Sequence, residues 1–329
     1  MARYFEIRSE RCCTKKKDCE MRLFFVTDVH GSELCFRKFI SALDIYNVDV
    51  GIILGDLAGK MIVPIIKRPD GMQECTFLGQ YNLLKSDQEV QNILKKIAAI
   101  GFYYYFTDHA EYERLAKDKP AVDKIFFDEI TKRLKQWMDL ADEKLKGKRA
   151  KVFMAPGNDD PLDVDNVIES SKTFVNCDNK MVEFDGYQMI TIAYSNQTPW
   201  DTPRETTEED LAKRIENLVP LIKDMKRGIF NFHVPPYGTS LDLAPYLSKD
   251  MRQSAGVMIH VGSKAVADAI NKYQPMAGLH GHIHESKSVQ NMGKTFVCNP
   301  GSEYGEGLLK GIILTLKDDK VKNYVFTSG

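Results

Sequence analysis

The chain has 329 residues, 43% of them hydrophobic and 28% charged, with a formal net charge of -1. That length holds one large α/β domain or two ordinary ones around a substantial core, and the composition excludes wholesale disorder. The near-zero charge leaves no global basic field for nucleic acid or an anionic membrane, and no apolar run approaches the roughly 20 residues of a bilayer span.

Residues 1–20 are polar and charged throughout, without the apolar stretch of a secretory signal. They read as a solvated N-terminal extension: Lys15, Lys16 and Lys17 form a solvated face, and Cys12, Cys13 and Cys19 lack an evident fourth ligand for a tetrahedral zinc site. Seven scattered cysteines suit free thiols in a reducing cytoplasm.

The spacing then predicts a buried strand at 22–27, a helix capped by Ser32 with Phe36, Phe39, Ile40 and Leu43 on one face, and a strand at 50–54. Strands at 61–66 and 72–78 flank the turn signal Pro69-Asp70-Gly71, which suggests an antiparallel excursion. From about 86 to 148 the pattern changes. Ser86 and Glu89 suggest a capping box, and Val90, Ile93, Leu94 and Ile97, then Val122, Phe126, Ile130, Trp137 and Met138, follow two helical periodicities. This segment reads as a helical insertion, a cap or a dimerisation arm, in which the run Tyr103-Tyr104-Tyr105-Phe106 serves helix packing.

A strand returns at 151–155, followed by a hairpin at Asp185-Gly186. A helix starts near Thr206-Thr207, with Leu211, Ile215, Leu218, Ile222 and Met225 on one face. The strand at 228–232 runs into His233, Ser263 caps a helix through Tyr273, and 276–279 runs into a histidine cluster. Strands at 309–316 and 321–326 complete a sheet edge. Mixed strands with helices outside predict a layered α/β sandwich over 21–329.

Five polar motifs sit at the C-terminal ends of strand-like runs: Asp28-x-His30-Gly31, Gly55-Asp56, Gly157-Asn158-Asp159, His233, and Gly281-His282-x-His284. Ligands of open α/β sheets collect at such ends, so the five can converge in one crevice. Singly, each has a plain structural reading: Asp28 as a helix cap, Gly55-Asp56 as a turn, His233 as a packed histidine before Val234-Pro235-Pro236. Gly-His-x-His is stronger, because side chains two apart on a strand face the same way. Imidazoles, carboxylates and one amide oxygen suit divalent Mn, Fe, Co, Ni or Zn, and the lack of cysteine argues against a purely structural zinc site. His280 reads equally as a support for the cluster or a packed strand residue, while His260, in a loop, and His109, in the insertion, read as structural.

In this order, DVHG, GD, GND, H and GHIH, the motifs resemble those of the calcineurin-like metallophosphoesterases from residue 21 onward. The flanks FHVPPYGTSLD, LHGHIHES and Asn299-Pro300-Gly301-Ser302 are similar to those of the Icc-related predicted phosphoesterases. The resemblance implies a sandwich of two mixed sheets between helices, with two divalent metal ions at the strand ends. Position by position, it assigns Asp28, His30 and His284 to one ion and Asn158, His233 and His282 to the other, with Asp56 bridging. Two close cations need an anionic bridge, and they bring a shared water towards ionisation near neutral pH, giving a hydroxide that attacks phosphorus.

One position departs from the family. Many members carry His directly after the Gly-Asn pair, where this chain has Asp159, followed by Asp160. An ionised carboxylate donates no proton and repels a doubly charged monoester, so Asp159 is the candidate catalytic position and phosphodiesters are slightly favoured. The expected protein is a cytoplasmic hydrolase of small-molecule phosphoesters without a membrane partner. Its charge weighs against nucleic acid, and a homo-oligomer stays open through the insertion. Two other readings remain: a non-catalytic metal-binding interaction module on the same fold, and a nuclease subunit.

Overall fold

Leu23 and Phe25 face one side of the strand Met21–Thr27, Phe24 and Val26 face the other, and all four are buried. A strand covered on both faces reads as a continuous apolar run, which is why RLFFVT carries no polar alternation. The computed structural model describes residues 5–6, 20–247 and 253–329. The Cys12/Cys13/Cys19 cluster and the lysine run at 15–17 lie outside the described residues.

Met21–Thr27 is central in a six-stranded sheet. Val50–Leu54, Lys151–Ala155 and Phe174–Asn176 follow it in parallel on one side; on the other, Lys310–Lys317 pairs antiparallel with it and Lys320–Ser328 antiparallel with Lys310–Lys317. A second, seven-stranded sheet has Tyr187–Ile192, Gly228–Phe232, Ala277–Leu279 and Thr295–Asn299 in parallel at its centre. Phe5–Glu6 forms its edge, pairing in parallel with Met181–Phe184. The sheets face each other across a core that joins Leu23, Ile52 and Phe153 to Phe184, Met189 and Leu279. Outside the first sheet, helices Glu33–Ile45 and Lys119–Lys144 bury Phe36, Leu134 and Trp137. Outside the second, Glu208–Leu218 and Lys264–Tyr273 bury Ile215 and Ile270. The result is a layered sandwich of two mixed sheets between helices, as the motif order implies. Each large side chain buried in these layers stabilises the fold by roughly 1.5–3 kcal/mol.

Local signals place the helix starts well. Ser32, Ser86, Thr207 and Ser263 each accept a hydrogen bond from the backbone N–H three residues on. At Ser86 the reciprocal bond is displaced by one residue, because the Glu89 carboxylate accepts from the Lys85 N–H. The helix after Thr207 ends at Leu218, where Pro220 tightens the chain into a 3-10 turn, so Ile222 and Met225 lie beyond it.

Between Val50–Leu54 and its neighbour Lys151–Ala155 the chain makes a long excursion with its own four-stranded sheet, in the order Gln80–Leu84, Gln73–Phe77, Ile62–Lys67, Tyr103–Asp108. The expected role of the aromatic run in helix packing is corrected here. Tyr103 to Phe106 lie in a strand parallel to Ile62–Lys67. Long-range pairing decides this, and the β-forming aromatic residues agree with it. Helix Asp87–Ala99 covers this sheet through Val90, Ile93 and Ile97.

The buried Arg133, on the long helix, donates 2.6 Å to the Gly31 carbonyl and 3.4 Å to that of Phe102. Gly101 has φ +86°, and a Cβ there would sit 1.9 Å from the His30 carbonyl oxygen, so only glycine fits. His260 ends the strand Gln253–His260 rather than sitting in a loop. No described helix is long and apolar enough to cross a membrane.

Candidate metal centre

Strand order brings the five motifs together. Asp28, Asp56 and Asn158 follow parallel strands of one sheet, and His233 and the 280–284 segment follow parallel strands of the other. The loops are stitched together within each sheet, where His30 N–H donates to the Asp56 carbonyl at 2.8 Å and Gly281 N–H to the His233 carbonyl at 2.9 Å, and between the sheets, where His282 N–H donates to Asp28 Oδ2 at 3.0 Å. Asp28, His30, Asp56 and His282 all hold left-handed backbone, with φ of 54°, 39°, 40° and 66°. Each such residue costs about 1–3 kcal/mol, and strain of this kind gathers at functional sites.

Ligand atoms of Asp28, His30, Asp56 and His284 lie within 4.8 Å of one another, as do those of Asp56, His233 and His282. Asp56 therefore belongs to both groups. Its Oδ2 is 3.5 Å from His30 Nε2, and its Oδ1 is 3.5 Å from His233 Nε2. Asp28 Oδ1 is 3.6 Å from His284 Nε2. Asn158 Oδ1 lies 2.9 Å from His233 Nε2 and 2.7 Å from His282 Nδ1, so the amide belongs to the second group. Gly157 makes this approach feasible, since a Cβ there would come within 2.3 Å of Asp56 N and Oδ1. All seven expected ligand residues are thus in one place.

The donor set fits divalent cations. Among the described residues, the ion-pair partners of Asp28 and Asp56 are all imidazoles. His30 Nε2 and His284 Nε2 face each other at 3.1 Å, while His30 Nδ1 is near the Ala58 carbonyl, to which it can donate. Asp28 Oδ1 and His233 Nδ1 are buried without a hydrogen-bond partner. Buried carboxylates and converging imidazole nitrogens are what a borderline divalent ion neutralises.

Charge in the centre is divided unevenly. Burial drives His30 down to about 3 and His282 down to about 4, against the pull of Asp56, leaving neutral imidazoles with free lone pairs. At His233 burial also opposes protonation, but Asp56 and Asp28 prevail and raise it to about 9. Burial pushes the Asp28 and Asp56 carboxyls up; His284 and His233 respectively outweigh it and hold them below the usual range.

Asp159 and Asp160 separate. Asp159 lines the cleft beside Asp56, and its Oδ2 pairs with Lys60 Nζ at 2.7 Å. Asp160, the next residue in sequence, is fully buried and accepts from the Leu57, Ala58 and Gly157 N–H groups. Burial and Asp56 push its carboxyl up to about 7, with those N–H groups pulling back. Its role is to tie two ligand loops together.

His280 is buried, with Nδ1 2.9 Å from the Phe232 carbonyl, while His109 lies 3.3 Å from Glu74, in the excursion. Two participants escape sequence reading. Lys60 follows Asp56 by four residues, and that spacing is the only local hint. The Tyr304 ring lies 4.5 Å from His30 and 5.8 Å from His284, shortly after the Asn299-Pro300-Gly301-Ser302 flank.

No family model matches the chain. An uncharacterized protein of Methanocaldococcus jannaschii, MJ1162, is 35% identical over 151 residues. That match covers 45% of this chain and 63% of the relative's length. One solved crystal structure aligns at a TM-score of 0.54 and 15% identity, covering 94% of this chain and 99% of that one. The crystal structure of TT1561 of Thermus thermophilus aligns at 0.51 and 13% identity, covering 94% and 99%. At these identities the likeness is one of fold.

Proposed function

We propose that the chain is a metal-dependent phosphoester hydrolase of the calcineurin-like type, similar to its Icc-related branch, with a dinuclear centre. The observation that carries this is Asp56, a buried carboxylate shared by two adjoining ligand groups at the end of a cleft. One ion would be held by Asp28, His30 and His284, the other by Asn158, His233 and His282, with Asp56 common to both. Bound there, divalent cations supply Lewis acidity towards the phosphoryl oxygens and acidify water.

Hydrolysis forms one bond from water oxygen to phosphorus and breaks the ester P–O bond, and the departing oxygen takes up a proton. Lys60, held by Asp159 at the cleft edge, offers an ammonium N–H to a phosphoryl or departing oxygen, and Asp159 positions it. Of the two grounds for favouring diesters, repulsion is weakened: Asp160 is turned inward and Asp159 is neutralised by Lys60. The other ground concerns the leaving group: position 159 offers no imidazole, which favours esters whose departing oxygen needs little help from an acid, so only the weakened repulsion bears on diester against monoester.

The test is hydrolysis of bis(p-nitrophenyl) phosphate and p-nitrophenyl phosphate, before chelation, after it, and after adding back Mn, Fe, Co, Ni or Zn. The expected outcome is cleavage that chelation abolishes and a metal restores, with at most a slight preference for the diester. Cleavage of neither ester with any metal overturns the reading.

A further inference from the structure

The cleft above the centre is larger and more apolar than a phosphate group requires. Its volume is about 1290 Å³, above the roughly 300–1,000 Å³ usual for small-molecule sites. Its lining includes Asp56, Asn158, His282 and His284 of the candidate centre. The same cleft is lined by Phe127 from the long helix, Trp200 from the loop after Asn196, and Tyr237 and Ile259 from two further segments.

Three of these side chains meet water freely: Trp200 is 61% exposed, Tyr237 43% and Ile259 38%. Large apolar surface left in water is unfavourable by about 25 cal/mol per Å², and contiguous surface of this kind marks a binding site. The exposure of Trp200 is not that of a slack loop. Glu205 accepts hydrogen bonds from the N–H and hydroxyl groups of both Thr198 and Thr202, on either side of Trp200. Thr202 Oγ1 also accepts from Asn158 Nδ2 at 2.8 Å, so this loop is wired to a residue of the candidate centre.

We infer that the phosphoester taken by this site carries a bulky apolar group, seated against Phe127, Trp200, Tyr237 and Ile259 while its phosphate lies at the Asp56 end. The inference rests on the proposed hydrolase reading for the identity of the charged head. The aromatic walls accept an aryl or an alkyl group, and the two are separable by experiment.

The experiment is calorimetric titration of the full-length, manganese-loaded protein with methylphosphonate, phenylphosphonate and octylphosphonate, the last below its micelle concentration. The head group is constant, so differences report the organic group. At least one of the larger ligands should bind fivefold or more tighter than methylphosphonate, and which one does so distinguishes aryl from alkyl. The double substitution Trp200→Ala, Phe127→Ala should bring that ratio below half its starting value. A smaller preference, absence of binding included, overturns the inference, as does a ratio that stays above half in the double variant. A graded series in a protein that cleaves no phosphoester would leave the cleft's preference standing and sink the hydrolase reading instead.

Discussion

Lys60 Nζ lies 2.7 Å from Asp159 Oδ2, so the carboxylate that replaces a histidine in the resembling family is paired with an ammonium at the cleft edge. The pair is neutral, and breaking it from either side leaves opposite charges. Asp159→Asn should raise the rate on a monoester dianion relative to a diester, and Lys60→Met should lower it. A unit charge about 4 Å away is worth about 1 kcal/mol in water, roughly a fivefold change in each ratio. Steady-state kinetics on matched p-nitrophenyl mono- and diesters check this; shifts in the same direction for both variants would show that charge is not the cause.

Because Asp56 is shared, Asp56→Asn should lower metal content at both sites. His282→Ala and His284→Ala should each lower one preferentially, since they belong to different groups. Plasma emission analysis of purified variants gives the stoichiometry, with close to two equivalents expected for the unaltered protein. One tightly held equivalent, indifferent to Asp56→Asn, would rule out the dinuclear arrangement.

Glu205 should make the loop around Trp200 acid-sensitive. Burial opposes its ionisation, but the hydrogen bonds from Thr198 and Thr202 prevail and hold its carboxyl below the usual range. A depressed carboxyl stabilises the fold fully above its unfolded value of about 4.3, and the contribution fades as pH falls through the lower folded value. The Tm difference between the unaltered protein and Glu205→Gln should therefore be largest above pH 5 and shrink below pH 4. A difference independent of pH would refute this assignment.

Phe36 stacks on Trp137 with ring centroids 4.4 Å apart and planes within 2°, joining the first helix to the long one. Both side chains are fully buried. Phe36→Ala should cost about 3–5 kcal/mol in urea unfolding, the usual range for emptying a buried aromatic site. A loss below 1 kcal/mol would mean that the long helix can collapse into the gap.

The candidate ligand positions were legible in the sequence because each lies in a short motif shortly after an apolar strand, and parallel strand ends bring such motifs together. Helix starts were legible because a cap and its N–H partner are three residues apart. Features set by distant pairing were hidden. Tyr103 to Phe106 form a strand through their pairing with Ile62–Lys67, and Lys60 meets Asp159 only after the excursion returns. Asp159 and Asp160 are chemically identical neighbours, yet one faces the cleft and the other faces inward, a difference that only the folded loops impose.

The chain has two tryptophans, and they occupy opposite environments. Trp137 is fully enclosed, its indole N–H bonded to Glu33 at 2.8 Å, while Trp200 stands 61% exposed over the cleft. The protein thereby carries two optical reporters with separate duties. Iodide will quench the fluorescence of Trp200 and leave Trp137 bright until the core opens. Cleft occupancy and loss of tertiary packing can accordingly be followed in one cuvette, without any added dye.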